Sequence, residues 1–416
     1  MTVFWVDELH ERYLHYDDLL RELKDRDKRH PVVYSKDPSE VLIETLLAML
    51  GDAELTLLDP EFTDKTLRSL GYGGDDSFQT KPAPEVQIDD VEELVTSLAN
   101  TADQWSMTLY TSGTTGTPSA VDQTFAGLTR TIRRGERFDG HVWGFAYNPT
   151  HFAGLQVFFQ ALMNRNTMVY LFEMSPDEIG RLIDSYGITH ISATPTFYRL
   201  RLQQFTGVYE TVERLTSGGE RFEPSLRDSL HESFPNAEFR NVYAITEVGS
   251  LLESDGELFK IPEDRTEQLT ISDDSELLIH ESLLGEGVTD DVEGDWFHTG
   301  DIVEFVDQDH FRFLGRESDF VNVGGYRVNP HQVEQRIYSV DEIEAAVVYA
   351  RESSVTGNVL VADILPADGI DEETAIAKVR ETVDELERWK RPRKITVVKD
   401  IEKSRSGKRV RRDDNS

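Results

Sequence analysis

Leu109-Tyr110-Thr111-Ser112-Gly113-Thr114-Thr115-Gly116-Thr117-Pro118 runs from a strand, Trp105–Tyr110, into glycines and small hydroxyl residues. Backbone N–H groups unobstructed by bulky side chains, together with the hydroxyls, can wrap a chain of phosphates. The Gly-Lys-Ser/Thr ending of a Walker A loop is missing, and so is the Gly-x-Gly-x-x-Gly of a dinucleotide fold. Taken alone, the stretch also reads as a flexible Thr/Gly linker.

Helical and strand signals alternate on either side of it. Tyr13–Arg26 and Ser39–Leu50 carry apolar residues at helical spacing, with a short strand, His30–Ser35, between them. Pro176–Tyr186 leads into the strand His190–Ala193, and Pro224–Phe234 into Glu238–Val242. Such alternation implies parallel strands joined by crossover helices, an α/β layered core. Gly73–Asp89, rich in Gly, Pro and Asp, reads as a surface loop, and no repeat of fixed period is visible. The 416 residues suggest about three folding units.

The charge distribution points to an appended unit. Between Arg388 and Arg412 there are 12 Lys and Arg against Asp400 and Glu402, whereas no lysine lies between Lys81 and Lys260. The boundary is expected near Gly315–Ser318, where Leu314-Gly315-Arg316 breaks the preceding strand Phe311–Leu314. A basic end can face nucleic acid or a polyphosphate; Trp389 and the strand-like Ile395–Val398 mark it as folded.

Composition excludes several chemistries. Without cysteine there is no disulfide, cysteine-held cluster, thiolate zinc site or cysteine nucleophile. A net charge of −35 repels nucleic acid and anionic lipid, so neither is expected as a partner. With 12 lysines against 31 arginines, the acidic composition suits concentrated salt, which screens self-repulsion; a salt-adapted protein is expected. Met1–Tyr13, carrying Asp7, Glu8 and Glu11, lacks a secretory pattern, and no apolar run reaches the roughly 18 residues of a membrane span. A cytoplasmic location is the expectation.

Further strings follow in order: His151 in Pro149-Thr150-His151-Phe152; Ser217-Gly218-Gly219-Glu220; Tyr243-Ala244-Ile245-Thr246-Glu247; Trp296-Phe297-His298-Thr299-Gly300-Asp301; Gly315-Arg316; Val323-Gly324-Gly325-Tyr326 with Glu334; and Ser404-Arg405-Ser406-Gly407-Lys408. Singly, each has a plainer reading: a structural histidine, Gly-Gly turns, a solvated acid at Glu247, a turn-capping Asp301, one more base at Lys408. Together they closely resemble the adenylate-forming superfamily of acyl- and aryl-CoA synthetases, peptide-synthetase adenylation domains and firefly luciferase.

The resemblance implies a large N-terminal α/β layered domain (1–314), a hinge at 315–318 including Ser318, and a small mobile C-terminal α+β domain (319–416). It implies that Thr111, Ser112, Gly113, Thr114, Thr115 and Gly116 hold ATP phosphates, that Gly218, Gly219, Glu220 and Tyr243 lie at adenine, and that Asp301 and Arg316 serve the ribose. Thr246 approaches the α-phosphate, Glu247 holds Mg²⁺, His151 gates an acyl pocket, Gly325 borders the thiol and Lys408 bridges carboxylate and α-phosphate. The implied reaction uses ATP, Mg²⁺ and coenzyme A to turn a carboxylic acid into acyl-AMP and then a thioester. Transfer to a carrier-protein phosphopantetheine and non-catalytic nucleotide binding are the alternatives. Ser119 stands where the family's phosphate loop has lysine, Ala244 where it has glycine, and Ser318 where its hinge has Asp or Lys; the front region is short. Ala193–Thr196, His151, Ala244 and the aromatic Phe152, Phe197 and Tyr198 are expected around the acid.

Overall fold

The computed structural model describes residues 2–100, 105–111, 118–202, 207–220, 222, 224–284, 291–307, 309–353, 357–399 and 401. The chain divides into two compact units: 1–270 with 278–298 and 305–312, and 271–277 with 299–304 and 313–416.

An eight-stranded sheet organises the first unit. Its strands are β1 (Val3–Asp7), β2 (Arg12–His15), β3 (Val142–Phe145), β4 (Thr167–Tyr170), β5 (His190–Ala193), β6 (Arg214–Gly218), β7 (Glu238–Ile245) and β8 (Gly249–Ser254), in the order β8-β7-β6-β5-β3-β4-β1-β2. β7, β6, β5, β3, β4 and β1 are parallel to one another, and β8 and β2 close the edges antiparallel. Helices α1 (Phe152–Met163), α2 (Pro176–Tyr186), α3 (Pro195–Leu202) and α4 (Pro224–Ser233) alternate with β3 to β7. α2 shows how local chemistry sets the limits: Ser175 and Glu178 form a capping box, Pro176 opens the helix, and Gly187, at φ +60, ends it. Trp5, Phe145, Phe158 and Phe159 are fully buried in the core, with Trp5 edge-on to Phe145.

A smaller sheet pairs 32–33, 55–57 and 106–111 in parallel, and 106–111 then pairs antiparallel with 119–124. The helix expected from Tyr13 starts only at Tyr16, because Arg12–His15 pairs with β1. The strand expected over His30–Ser35 contracts to Val32–Val33. Gly73–Asp89 is not wholly loop: it holds a 3₁₀ turn and a two-residue strand, Lys81–Pro82, paired with Lys28–Arg29.

In the second unit, strands 321–323, 326–328, 343–353, 357–366 and 394–397 form a sheet that packs with helices Pro330–Tyr338 and Glu372–Val383 around Val333, Ile337, Val348, Leu360 and Val379. Gly315 does not break the strand before it. The strand runs on to Arg316 through a positive φ of +145 that glycine tolerates, and a Cβ at Gly315 would lie 2.3 Å from Asn329 Nδ2. Asp301 likewise sits inside the strand Trp296–Phe305 rather than beyond a turn, with Gly300 at φ +67 making the local irregularity.

Helix Pro38–Leu50 is buried almost throughout and carries Glu44 with it. Burial lifts that carboxyl to about 7, although the His30 N–H donates to it at 2.7 Å. The folded state therefore holds this proton more tightly than the unfolded chain. Its contribution is present below about pH 4.5 and is lost as pH rises through 7. Glu44→Gln is expected to flatten that loss, worth at most about 3 kcal/mol, in denaturant titrations between pH 4.5 and 8. An unchanged pH slope would contradict the assignment. Gly154 lies in the first turn of α1, where a Cβ would fall 2.4 Å from the Asn148 carbonyl oxygen. Gly154→Ala should lower stability by about 1–3 kcal/mol, and an unaltered denaturation midpoint would show that the turn is not so constrained.

Candidate functional site

Strand order fixes where a ligand can sit. From β3 the chain passes through α1 to β4 on one side, then returns through α2 to β5 on the other. Consecutive connections diverge between β3 and β5, and a crevice opens outside the carboxyl ends of such strands. Pro149-Thr150-His151 follows β3, Thr194–Thr196 follows β5, Gly219-Glu220 follows β6, and Thr246-Glu247 follows β7. Register carries them to one edge: Ser192 pairs with Phe145, Ala193 with Ser217, and Gly218 with Val242.

The turn after β3 is rigidly built. The Asn148 side-chain oxygen accepts from both the N–H and the hydroxyl of Thr150, at 3.0 and 2.9 Å. His151 then occupies the position just before α1 without a side-chain cap, and its Nε2 lies 2.8 Å from Asp59 Oδ2. Burial alone would raise the Asp59 carboxyl, but His151, the Glu61 N–H and Asn148 together hold it below the usual carboxylate range. The imidazole is therefore oriented by an ionised partner, and it remains 43% exposed.

After β5, the Glu220 carboxylate accepts from the Thr196 N–H at 3.0 Å, tying the end of β6 to the first turn of α3. Glu220 is thus engaged with protein, and its other oxygen is buried without a hydrogen bond. The Tyr198 hydroxyl lies 2.9 Å from the Ile191 and Thr216 carbonyls, bracing β5 and β6 from behind. Gly218 belongs to β6, and a Cβ there would come 3.0 Å from the Val242 oxygen; Gly219 takes φ +80. Tyr243 is buried beside a register shift at Ala244.

The turn 246–248 joins β7 to β8, and its carbonyls are pinned. Gln123 Nε2 donates to the Thr246 oxygen at 2.7 Å, and Arg130 donates to the Val248 oxygen at 3.0 Å. Glu247, half-buried between them, keeps a carboxylate able to take a hard divalent cation. Asp59, Gln123 and Arg130 are the supporting residues that motif reading missed. They lie 92, 123 and 118 positions from their partners, and nothing local marks them.

Within the second unit, Asp301 and Arg316 come together. Arg316 Nε lies 2.8 Å from Asp301 Oδ1, and its Nη1 donates to the Thr299 carbonyl at 3.0 Å. Asp301 is 6% exposed, and its N–H donates to Thr299 Oγ1, which itself donates to the Leu277 carbonyl. A carboxylate with about four acceptor positions retains capacity for a diol beside one arginine. Ser318 lies in the 3₁₀ turn Glu317–Asp319. Gly325, at φ +91, forms with Gly324 the turn of a hairpin, and its N–H donates to Asn322 Oδ1. Glu334 accepts from the Val348 N–H at 2.8 Å, a structural use of that carboxylate.

Thr111 ends the strand 106–111 and pairs with Ser119, which opens the strand 119–124. Ser112, Gly113, Thr114, Thr115 and Gly116 themselves, and Lys408, lie outside the described residues.

Comparison with known proteins identifies the family. The model of the AMP-binding enzyme family matches residues 39–273, and that of the AMP-binding enzyme C-terminal domain matches 332–408. The chain is 26% identical to a 2-succinylbenzoate–CoA ligase of Listeria innocua, over 80% of this chain and 75% of that one. It is 24% identical to bacitracin synthase 3 of Bacillus licheniformis over 89% of this chain, but spans 7% of that protein's length. The fold matches the o-succinylbenzoate CoA synthetase of Bacillus subtilis in complex with its acyl-adenylate intermediate, with TM-score 0.71, 20% identity, and 98% and 94% of the two chains covered. With more than half of its length matched by the family model, the chain belongs to the AMP-binding enzymes.

Proposed function

We propose that this protein is an AMP-forming acid–thiol ligase, which activates a carboxylic acid with ATP and passes the acyl group to coenzyme A. The observation that carries this reading is the pinned turn bearing Thr246 and Glu247 at the same sheet edge as the Gly219, Thr196 and His151 turns. A carboxylate is a poor acyl donor because its leaving group would be oxide. In the first half-reaction a substrate carboxylate oxygen attacks the α-phosphorus in line, and the bond from that phosphorus to pyrophosphate breaks. The nucleophile is already ionised at neutral pH, so no general base is required. In the second, a thiolate sulfur attacks the acyl carbon and AMP departs.

The family resemblance supplies the residue roles in this proposal. Thr246 serves the α-phosphate, the 111–116 loop the outer phosphates, Gly218, Gly219 and Tyr243 the adenine, and Asp301 the ribose hydroxyls with Arg316 holding it. Magnesium, when bound, would neutralise phosphate oxygens, and Glu247 is the residue proposed to hold it. Lys408 steadies the charge on the equatorial oxygens. The small domain, 319–416 after a hinge at 315–318, then turns and brings Gly325 to the thiol side. His151, held by Asp59, borders the acid. Glu220 supports the adenine turn through Thr196 rather than by reaching the base.

Similarity to a segment of a peptide synthase favours a second acceptor, the phosphopantetheine of a carrier protein. No helix among the described residues is long and apolar enough to cross a membrane, in keeping with the cytoplasmic location we assign. Hydroxylamine trapping over a panel of carboxylic acids tests the activity: ATP-dependent hydroxamate formation supports it, and none with any acid refutes it. Lys408→Ala should slow acyl-adenylate formation by about 100-fold or more while sparing thioester formation from supplied acyl-AMP. Equal loss in both steps would contradict the lysine's role. From the charge of −35 we further propose that the protein works in high salt. Lowering KCl from 1 M to about 0.1 M extends the screening length from about 3 to about 10 Å and should lower the melting temperature; a flat response would remove the salt adaptation.

A further inference from the structure

We propose that His141, His190 and Glu213 form a binding site for a zinc-class divalent ion, at the amino-terminal edge of the large sheet, opposite the crevice. His141 immediately precedes β3, His190 opens β5, and Glu213 immediately precedes β6. These three strands are parallel neighbours, so their starts lie side by side: His190 pairs with Trp143 and with Arg214. One donor atom from each of the three residues lies within 4.8 Å of the others. Two imidazoles and a carboxylate, with water completing the shell, suit zinc, cobalt, nickel or copper rather than magnesium or calcium.

The hydrogen bonds around His190 identify its donor atom. The Thr189 hydroxyl oxygen accepts from the Val142 N–H at 3.0 Å and lies 3.2 Å from the Val142 carbonyl and 2.9 Å from His190 Nδ1. With Nδ1 engaged by this hydroxyl, Nε2 is the atom His190 would offer to the ion, and the outer hydrogen bond orients the ring as in metal-ligating histidines. His190 is 4% exposed, and the Trp143 ring lies 4.9 Å away as an apolar wall.

His141 supplies a second sign. Its ring stacks on His190 with centroids 4.0 Å apart, and its Nδ1 is buried with no hydrogen bond of good geometry, although the Arg137 backbone lies at the ring. An orphaned buried acceptor or donor is costly, and an ion at this nitrogen would remove the cost. A metal lies in the plane of each imidazole that binds it, so the stacked pair must open on binding. The half-buried His141 turns about its ring bond while His190 stays fixed, and the exposed Glu213 carboxylate closes from the solvent side. The neighbouring Arg214 is drawn toward Glu238 by an ion pair of 3.0 Å. Such an ion would staple the starts of three adjacent strands, a stabilising role independent of the proposed ligase chemistry.

Untagged, chelator-treated protein is melted with Zn²⁺ or, at equal concentration, Ca²⁺, and Co²⁺ binding is followed by its visible absorption. The expected result is a rise in melting temperature with Zn²⁺ beyond that with Ca²⁺, and a tetrahedral-type Co²⁺ spectrum. His141→Ala should weaken Zn²⁺ binding at least tenfold and remove the spectrum, and Glu213→Gln should weaken binding by a smaller factor. Melting of both variants without metal is expected near that of the parent. A Zn²⁺ effect that Ca²⁺ reproduces, or one that survives His141→Ala, overturns the site.

Discussion

The divergence of chain connections between β3 and β5 is the constraint on which everything at the site depends. Because α1 carries the chain to one side of β3 and α2 returns it to the other, the turns after β3 and β5 flank the place where such a divergence opens a crevice. Parallel register then adds the ends of β6 and β7 to the same edge. Glycines at 218 and 219 keep the turn after β6 low, and the Glu220–Thr196 hydrogen bond locks it to α3. The sheet thus acts as a ruler, setting the spacing of turns whose chemistry is carried by a handful of side chains.

Those side chains and turns are held by partners from other parts of the chain. Gln123 and Arg130 take the carbonyls on either side of Glu247, so the acid is presented by backbone that cannot swing freely. Asp59 does the same for His151, and Arg316 for Asp301. In a chain of net charge −35, each carboxylate kept in a defined place needs a cation, a histidine or an N–H group beside it, or else it adds to the repulsion.

Much of this was legible in the sequence because it is local. The His190–Ala193 strand and the Pro176–Tyr186 helix appear where periodicity and capping residues put them. The motif strings, read by resemblance, identify the family. What escaped was set by pairing at a distance. Residues 12–15 have no strand signal strong enough to stand against a helical pattern, yet β1 captures them. Gly315 and Asp301 looked like punctuation, but they lie within strands whose neighbours absorb the irregular φ at Gly300 and leave no room for a Cβ at Gly315. Asp59, Gln123 and Arg130 became visible only once folding brought them to turns about a hundred residues away.

The central claim is that a carboxylate oxygen becomes bonded to the α-phosphorus of ATP. It is tested most directly by supplying an accepted acid labelled with ¹⁸O in its carboxylate, with ATP and coenzyme A, and reading the products by mass spectrometry. One labelled oxygen transferred to AMP, with unlabelled pyrophosphate, is the predicted result. Label found in pyrophosphate or inorganic phosphate, or AMP free of label while thioester accumulates, would contradict it.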